Sequence, residues 1–267
     1  MSRVSPRIIF VTPARCGARF LHLAVSQTYP EESIALFYLP PPGPVRLSPS
    51  LYPQLDETFG GAEVLFTSAL RPSPDVCEVW KGCCFSTIIR EPISRAISDY
   101  EGHFAKYGLN QSQLPDYLKP LLETLDAYLD NELNKNYLTK FFSGLDLFEP
   151  ATEEALKAAI DTVKSFDIIL CLEYFNITAL DLFIQRPELV TSSDFFSKPY
   201  TTNKQDNLDK NLLDKLHRAN SFDMVLYKEV VHTALKKASR LPKSRFLDFW
   251  KSPDIAARMR IVNSLAP

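Results

Sequence analysis

Two short segments of this chain place arginines where an anion could be held. The first lies within "IIFVTPARCGARFLHLAV", Ile8 to Val25, where an apolar run meets Thr12-Pro13 and then Arg15, Cys16, Gly17, Ala18 and Arg19 before a helical apolar pattern begins. A strand, a tight turn and a helix in that order leave N–H groups without partners at the helix N-terminus, and these and the helix dipole favour an anion. Gly17 permits close approach of the backbone, and Arg15, with Arg19 near it, can add charge-assisted hydrogen bonds. The stretch is not a nucleotide P-loop of the form G-x-x-x-x-G-K-[ST], because that spacing is absent. By itself such a junction is more often a plain connection between elements.

The second segment is "FSTIIREPISRAISDYEGHF". Its apolar run ends at Arg90, and the carboxyl end of a strand is where open α/β sheets bind ligands. Pro92 falls at the first helical position, where its fixed φ favours initiation, and Glu91 suits the positive end of the helix. Ser98 lies two turns along and can converge with Arg90 on one cluster of oxygens, whereas Arg95 reads as a surface or ion-pairing residue.

These segments need a scaffold, and the rest of the chain supplies the pattern of one. "RIIFVT" (7–12), "SIALFYL" (33–39), "EVLFTS" (63–68), "FSTIIR" (85–90) and "DIILCLE" (167–173) are strand candidates, too short for buried helices. Their continuous apolar character predicts a parallel sheet covered on both faces. Helices are expected at 17–28, 92–107, 114–144, 152–164, 174–185, 207–219 and 222–238. "YLPPPGPVRLSPSLYP" reads as an irregular surface excursion that could act as a lid or substrate loop. The expected fold class is α/β, a P-loop-like parallel sheet flanked by helices with a helix-rich C-terminal half, in one domain over residues 1–267.

Composition narrows the function. Hydrophobic residues at 45% and charged residues at 23% fit a soluble globular protein. A net charge of -2 lacks the basic footprint of nucleic-acid binding. Cys16, Cys77, Cys83, Cys84 and Cys171 have no zinc-ligand spacing and read as buried free thiols in a reducing compartment. Pro13 interrupts the N-terminal apolar run before a signal sequence could form, and no run approaches the ~20 residues that span a bilayer. A cytoplasmic protein with no membrane or nucleic-acid partner is expected.

Together the segments resemble the PAPS-dependent sulfotransferases, particularly the carbohydrate type related to heparan sulfate uronosyl 2-O-sulfotransferase. That family carries a strand-loop-helix of the form P-K-T-G-(G/S)-T-S and a second motif close to R-[DE]-P-[VI]-x-R-x-x-S-x-[YF], which "REPISRAISDY" matches at every fixed position. "NKNYLTKFFSG" (134–144), "IILCLEYFNITALDLF" (168–183) and "SFDMVLYKEV" (221–230) resemble later family segments in the same order. The resemblance implies transfer of a sulfuryl group from 3′-phosphoadenosine 5′-phosphosulfate (PAPS) to a carbohydrate or small-molecule acceptor, with 3′-phosphoadenosine 5′-phosphate (PAP) as product and no metal. It implies that Arg15 and the amides of Cys16, Gly17, Ala18 and Arg19 hold the 5′-phosphosulfate, that Arg90 and Ser98 hold the 3′-phosphate, and that Lys204 or Thr202 in "KPYTTNKQDNL" (198–208) closes over the cofactor.

The opening loop departs from the family. Arg15 takes the place of the catalytic Lys, and Ala18 and Arg19 replace a Thr and a Ser. Arg retains its proton more firmly than Lys, so Arg15 should act on developing charge electrostatically and not as an acid. His103, just beyond the Arg90 motif, is the candidate base, set against an ordinary histidine at the helix edge; His22, His217 and His232 read as helix residues, and Asp56 and Glu57 are further carboxylates near the Pro-rich stretch. Tyr137 and Lys140 could line an acceptor cleft or pack an amphipathic helix. Two other functions fit the same core: a nucleotide-dependent phosphotransferase, which would need a metal-binding Asp and a Lys-Ser/Thr loop, and a non-catalytic PAPS-fold binding protein.

Overall fold

All five apolar runs form strands of one parallel sheet: β1 (Ile8–Val11), β2 (Ile34–Phe37), β3 (Val64–Thr67), β4 (Cys84–Ile89) and β5 (Ile168–Cys171), in the order β2-β3-β1-β4-β5. The computed structural model describes residues 8–38, 47–59, 61–107, 124–186 and 208–239. Every residue of β1, β3, β4 and β5 is buried, while the edge strand β2 is half exposed. Strands buried on both faces cannot alternate apolar and polar residues, which is why the runs are continuous.

The strand order decides where a ligand fits. From β1 the chain leaves towards β2 on one side, and from its neighbour β4 it leaves towards β5 on the other. That reversal opens a crevice at the carboxyl ends of β1 and β4, the topological switch point of an open α/β sheet. The two arginine-bearing segments follow these two strands.

The helices are α1 (Ala18–Val25), α2 (Tyr52–Phe59), α3 (Pro74–Val79), α4 (Pro92–Tyr107), α5 (Leu125–Asp130), α6 (Tyr137–Ser143), α7 (Glu153–Lys164), α8 (Phe175–Gln185), α9 (Lys210–Ala219) and α10 (Ser221–Ser239). Ser73, Thr124, Thr152 and Asp209 start α3, α5, α7 and α9 by accepting a first-turn amide on the side chain. The main core lies between the sheet and its helices. A second, smaller cluster forms where Ile93, Ala96 and Ile97 of α4 meet Tyr128 and Leu129 of α5 and Leu216 and Ala219 of α9.

Three expectations are corrected. The helix expected at 114–144 is, over its described part, two helices with a 3-10 turn at Glu132–Asn134 between them. Asn131 leaves helical geometry and accepts from Leu133 N at 3.0 Å, and Asn136 sits at φ 47°. Asparagine competes for backbone groups in this way and favours turns over helix interiors. The end of the Pro-rich stretch turns helical, through a 3-10 turn at Pro49–Leu51 into α2; residues 39–46 lie outside the described ones. Cys77 is exposed and Cys83 half-buried, whereas Cys16, Cys84 and Cys171 are buried as expected. Among the described residues, no helix is long and apolar enough to cross a membrane.

Candidate functional site

The loop after β1 is built on two left-handed residues. Thr12 N donates to Thr67 O at 2.8 Å, extending the β1–β3 pairing by one residue, and Cys16 N donates to Pro13 O at 3.3 Å to close the turn. Arg15 lies at φ 64° and Gly17 at φ 101°. Gly17 is doubly constrained, because a Cβ there would lie 3.1 Å from Leu172 Cδ1 and 3.2 Å from Ile88 Cδ1. The first turn of α1 has no side-chain cap and no acidic residue, and its first backbone bond is Leu21 N to Gly17 O at 3.1 Å. An uncapped, acid-free helix start faces the crevice with its positive end.

Arg90, at the end of β4, reaches this loop: its Nη1 donates to the Arg15 carbonyl at 3.4 Å, and its Nε is buried without a hydrogen bond among the described residues. The backbone beside it is fixed from both sides. Glu91 N donates to Glu173 Oε1 at 3.1 Å, and the Glu91 carboxylate accepts from Ile93 N at 3.0 Å and Ser94 N at 2.7 Å, capping α4. Tyr227 OH donates to Glu173 Oε2 at 2.8 Å. Burial pushes the Glu173 carboxyl above the ordinary range, against the pull of Tyr227 and Arg90.

Behind the loop is a buried ionic cluster. Arg95 is fully buried, with Nη1 3.6 Å from Asp99 Oδ2 and its guanidinium 4.4 Å over the Tyr137 ring. Burial alone would lower its pKa, but Tyr128, Asp99 and Asp223 hold it above the ordinary value, so it is a fixed cation. Asp99 Oδ2 also accepts from Tyr128 OH at 2.6 Å, and its Oδ1 lies 3.6 Å from Arg15 Nε. Tyr137 OH accepts from Ala14 N at 3.3 Å, which ties the loop to α6. Burial pushes the Tyr137 hydroxyl up to about 12 and the Cys16 thiol up to about 12, so Cys16 is a packing residue and not a thiolate nucleophile.

No family model matches this chain, and no curated protein matches it. Among solved structures it is similar to a sulfotransferase from Alicyclobacillus acidocaldarius, at 15% identity and a TM-score of 0.41, over 88% of this chain and 99% of that one.

The structure gathers the residues singled out in sequence unevenly. Arg15, Cys16, Gly17, Ala18 and Arg19 form the loop and helix start, with the Cys16 amide already engaged by Pro13 and Arg19 exposed. Arg90 stands at the same crevice, and Ser98 is half-buried on α4. His103 belongs to α4, but its side chain lies outside the described residues, as do Thr202 and Lys204 entirely. His22 packs its ring on Phe66 at 5.6 Å, and His217 and His232 are exposed. Lys140 lines no cleft: its fully buried Nζ donates to Glu132 O at 2.6 Å, Glu132 Oε1 at 2.9 Å and Leu147 O at 3.0 Å. Among the described residues, no three His, Cys, Asp or Glu side chains group as a metal site.

Of Arg95, Asp99 and Glu173, sequence points to Arg95 alone, as a surface or ion-pairing residue, and it is the ion pair with Asp99 that the structure holds; Asp99 and Glu173 have no place in that reading. The i, i+4 spacing of Arg95 and Asp99 was a readable signal of pairing. Their other partners, Tyr128 and Tyr137, belong to distant segments that no local pattern joins to α4.

Proposed function

We propose that this protein is a sulfotransferase that moves a sulfuryl group from PAPS to a hydroxyl or nitrogen of a carbohydrate or small-molecule acceptor and releases PAP. The observation that carries this reading is the meeting of its two motif segments. Arg90 of "REPISRAISDY" bonds to the backbone of the loop after β1, so an uncapped helix start and a half-satisfied guanidinium lie side by side at the switch point. The buried Arg90 Nε and the acid-free first turn of α1 are donors suited to a ligand with several phosphate-like oxygens, which is the fit that PAPS requires.

In this reading Arg15 and the amides of Gly17, Ala18 and Arg19 hold the 5′-phosphosulfate, and Arg90 with Ser98 holds the 3′-phosphate. Lys204 is assigned to the segment closing over the cofactor. PAPS supplies the sulfuryl group: the acceptor oxygen or nitrogen bonds to sulfur as the bond from sulfur to the bridging phosphate oxygen breaks, and that electron pair leaves with PAP. Arg15 faces the charge that develops on this oxygen, and a positioned cation there contributes electrostatic stabilisation. A guanidinium keeps its proton at all working pH values, so Arg15 cannot double as the acid. The proton released by the acceptor is assigned to His103.

Calorimetry with PAP tests the reading. Wild type should bind PAP, and Arg90→Ala should weaken binding at least about tenfold, as expected for loss of a charged hydrogen-bonding partner. No binding, or binding indifferent to Arg90→Ala, overturns it. If PAP binds but no hydroxyl or amine in an acceptor panel yields sulfated product from PAPS by mass spectrometry, the chain is a cofactor-binding protein without transferase activity.

A further inference from the structure

Tyr137 meets the loop after β1 at the end away from the helix start. Ala14 and Arg15 are exposed there, and Ala14 N donates to Tyr137 OH at 3.3 Å. A phenol oxygen that accepts a hydrogen bond still has one proton to give. Among the described residues nothing accepts that proton, so the hydroxyl is an uncommitted donor held one residue from Arg15. Its position is fixed. The Arg95 guanidinium lies 4.4 Å over the ring, and Phe141, one turn along α6, stacks on it at 6.0 Å between centroids. Asp223 accepts from Leu138 N and Thr139 N, which pins the first turn of α6, where Tyr137 begins the helix. With its pKa pushed up to about 12 by burial, the hydroxyl keeps its proton at neutral pH and serves as a donor, not a base.

We propose that Tyr137 is a further catalytic residue, its O–H donating to an oxygen of the sulfuryl group as that group moves, an inference that rests on the function proposed above. The order of groups along the loop supports it. The amides of Gly17, Ala18 and Arg19, at the helix end, are assigned to the phosphate, and Arg15 to the bridging oxygen. Tyr137, on Ala14, then falls beyond Arg15, on the side of the sulfuryl group. A fixed donor there holds a sulfuryl oxygen while sulfur passes between the leaving and accepting atoms, with no reorganisation at the moment of reaction. Tyr137 retains its proton throughout: a hydrogen bond forms, and no bond to hydrogen breaks.

Tyr137→Phe keeps the ring under Arg95 and removes the hydroxyl alone. The Ala14 amide loses its acceptor, but Ala14 is exposed and water can replace it. Sulfate release from PAPS, with water as the acceptor, should slow about a hundredfold, the cost of losing one well-placed donor. PAP carries no sulfuryl group, so its affinity by calorimetry should stay within about threefold of wild type. Release that also stays within about threefold of wild type overturns the proposal. Losses of PAP affinity and rate that run in parallel overturn it too, because Tyr137 then does no more than hold the loop. If wild type turns over no PAPS, the transferase reading fails, and the hydroxyl is judged with inorganic sulfate. The probe is the Tyr137 Cζ resonance in carbon NMR, assigned by its loss in Tyr137→Phe. A saturable shift upholds an oxyanion donor at Tyr137, and a resonance that does not move overturns it.

Discussion

Asp223 is the sharpest test of how the ionic cluster supports the site. It is fully buried on α10 and accepts from Leu138 N at 2.9 Å and Thr139 N at 2.7 Å, satisfying the start of α6. Asn136 answers from the other side, its Oδ1 accepting from Phe222 N at 2.9 Å and Asp223 N at 3.3 Å, so the two helices cap each other. Asp223→Ala strands two buried amides and removes an anion near Arg95. Hydrogen bonds to a charged group contribute about 1.5–3 kcal/mol each, so the two amides alone set a loss of about 3–6 kcal/mol. Relief of a costly buried charge, visible in the Asp223 carboxyl being pushed up by burial, offsets part of it and leaves about 3–4 kcal/mol. For a chain of 267 residues that is a fall in melting temperature on the order of 10 °C. Asp223→Asn keeps an acceptor for one amide and should lose about half as much. Urea unfolding of the three proteins measures these differences. A loss below about 1 kcal/mol in Asp223→Ala would mean that both amides find other partners, and the reciprocal cap would not be what holds α6.

Two further predictions concern stability and pH. Lys140→Met removes a buried ammonium whose three acceptors all lie within 3.0 Å, so unfolding should become easier by about 3–5 kcal/mol while PAP affinity stays unchanged. Weakened PAP binding at full stability would instead place Lys140 in the cleft. Glu173 has its folded-state pKa raised by burial, so its contribution to stability is present below the unfolded value of about 4.3 and is lost as pH rises through the folded value. Between about pH 4.5 and 7 the wild type should therefore lose stability relative to Glu173→Gln. Parallel pH profiles from urea unfolding would contradict this.

The sheet was legible because its signal is local. Four of the five strands are buried at every position, and a continuous apolar run of that length has few other uses. The break in the helix expected at 114–144 was not legible, since what fixes Asn136 is a pair of amides 86 and 87 residues away. The same division runs through the site. Arg15 and Arg90 stand out by their places at strand ends, whereas Asp99 takes its meaning from Tyr128 and Arg15.

The loop's departures from the sulfotransferase pattern also have a physical counterpart. Ala18 and Arg19 stand where that family has hydroxyls, so hydroxyl contacts do not order the turn. In this chain the order comes from behind. Ala14 N is held by Tyr137 OH, the Tyr137 ring lies under the Arg95 guanidinium, and Arg95 is balanced by Asp99 on its own helix. Arg95 thus supports the loop from the core: it is fully buried, and its Nε, Nη1 and Nη2 make no hydrogen bond among the described residues. A buried cation is costly unless its neighbours compensate it, and those neighbours come from α4, α5, α6 and α10. The loop after β1 consequently depends on the packing of four helices, and a substitution deep in that cluster should loosen Arg15 before it unfolds the sheet.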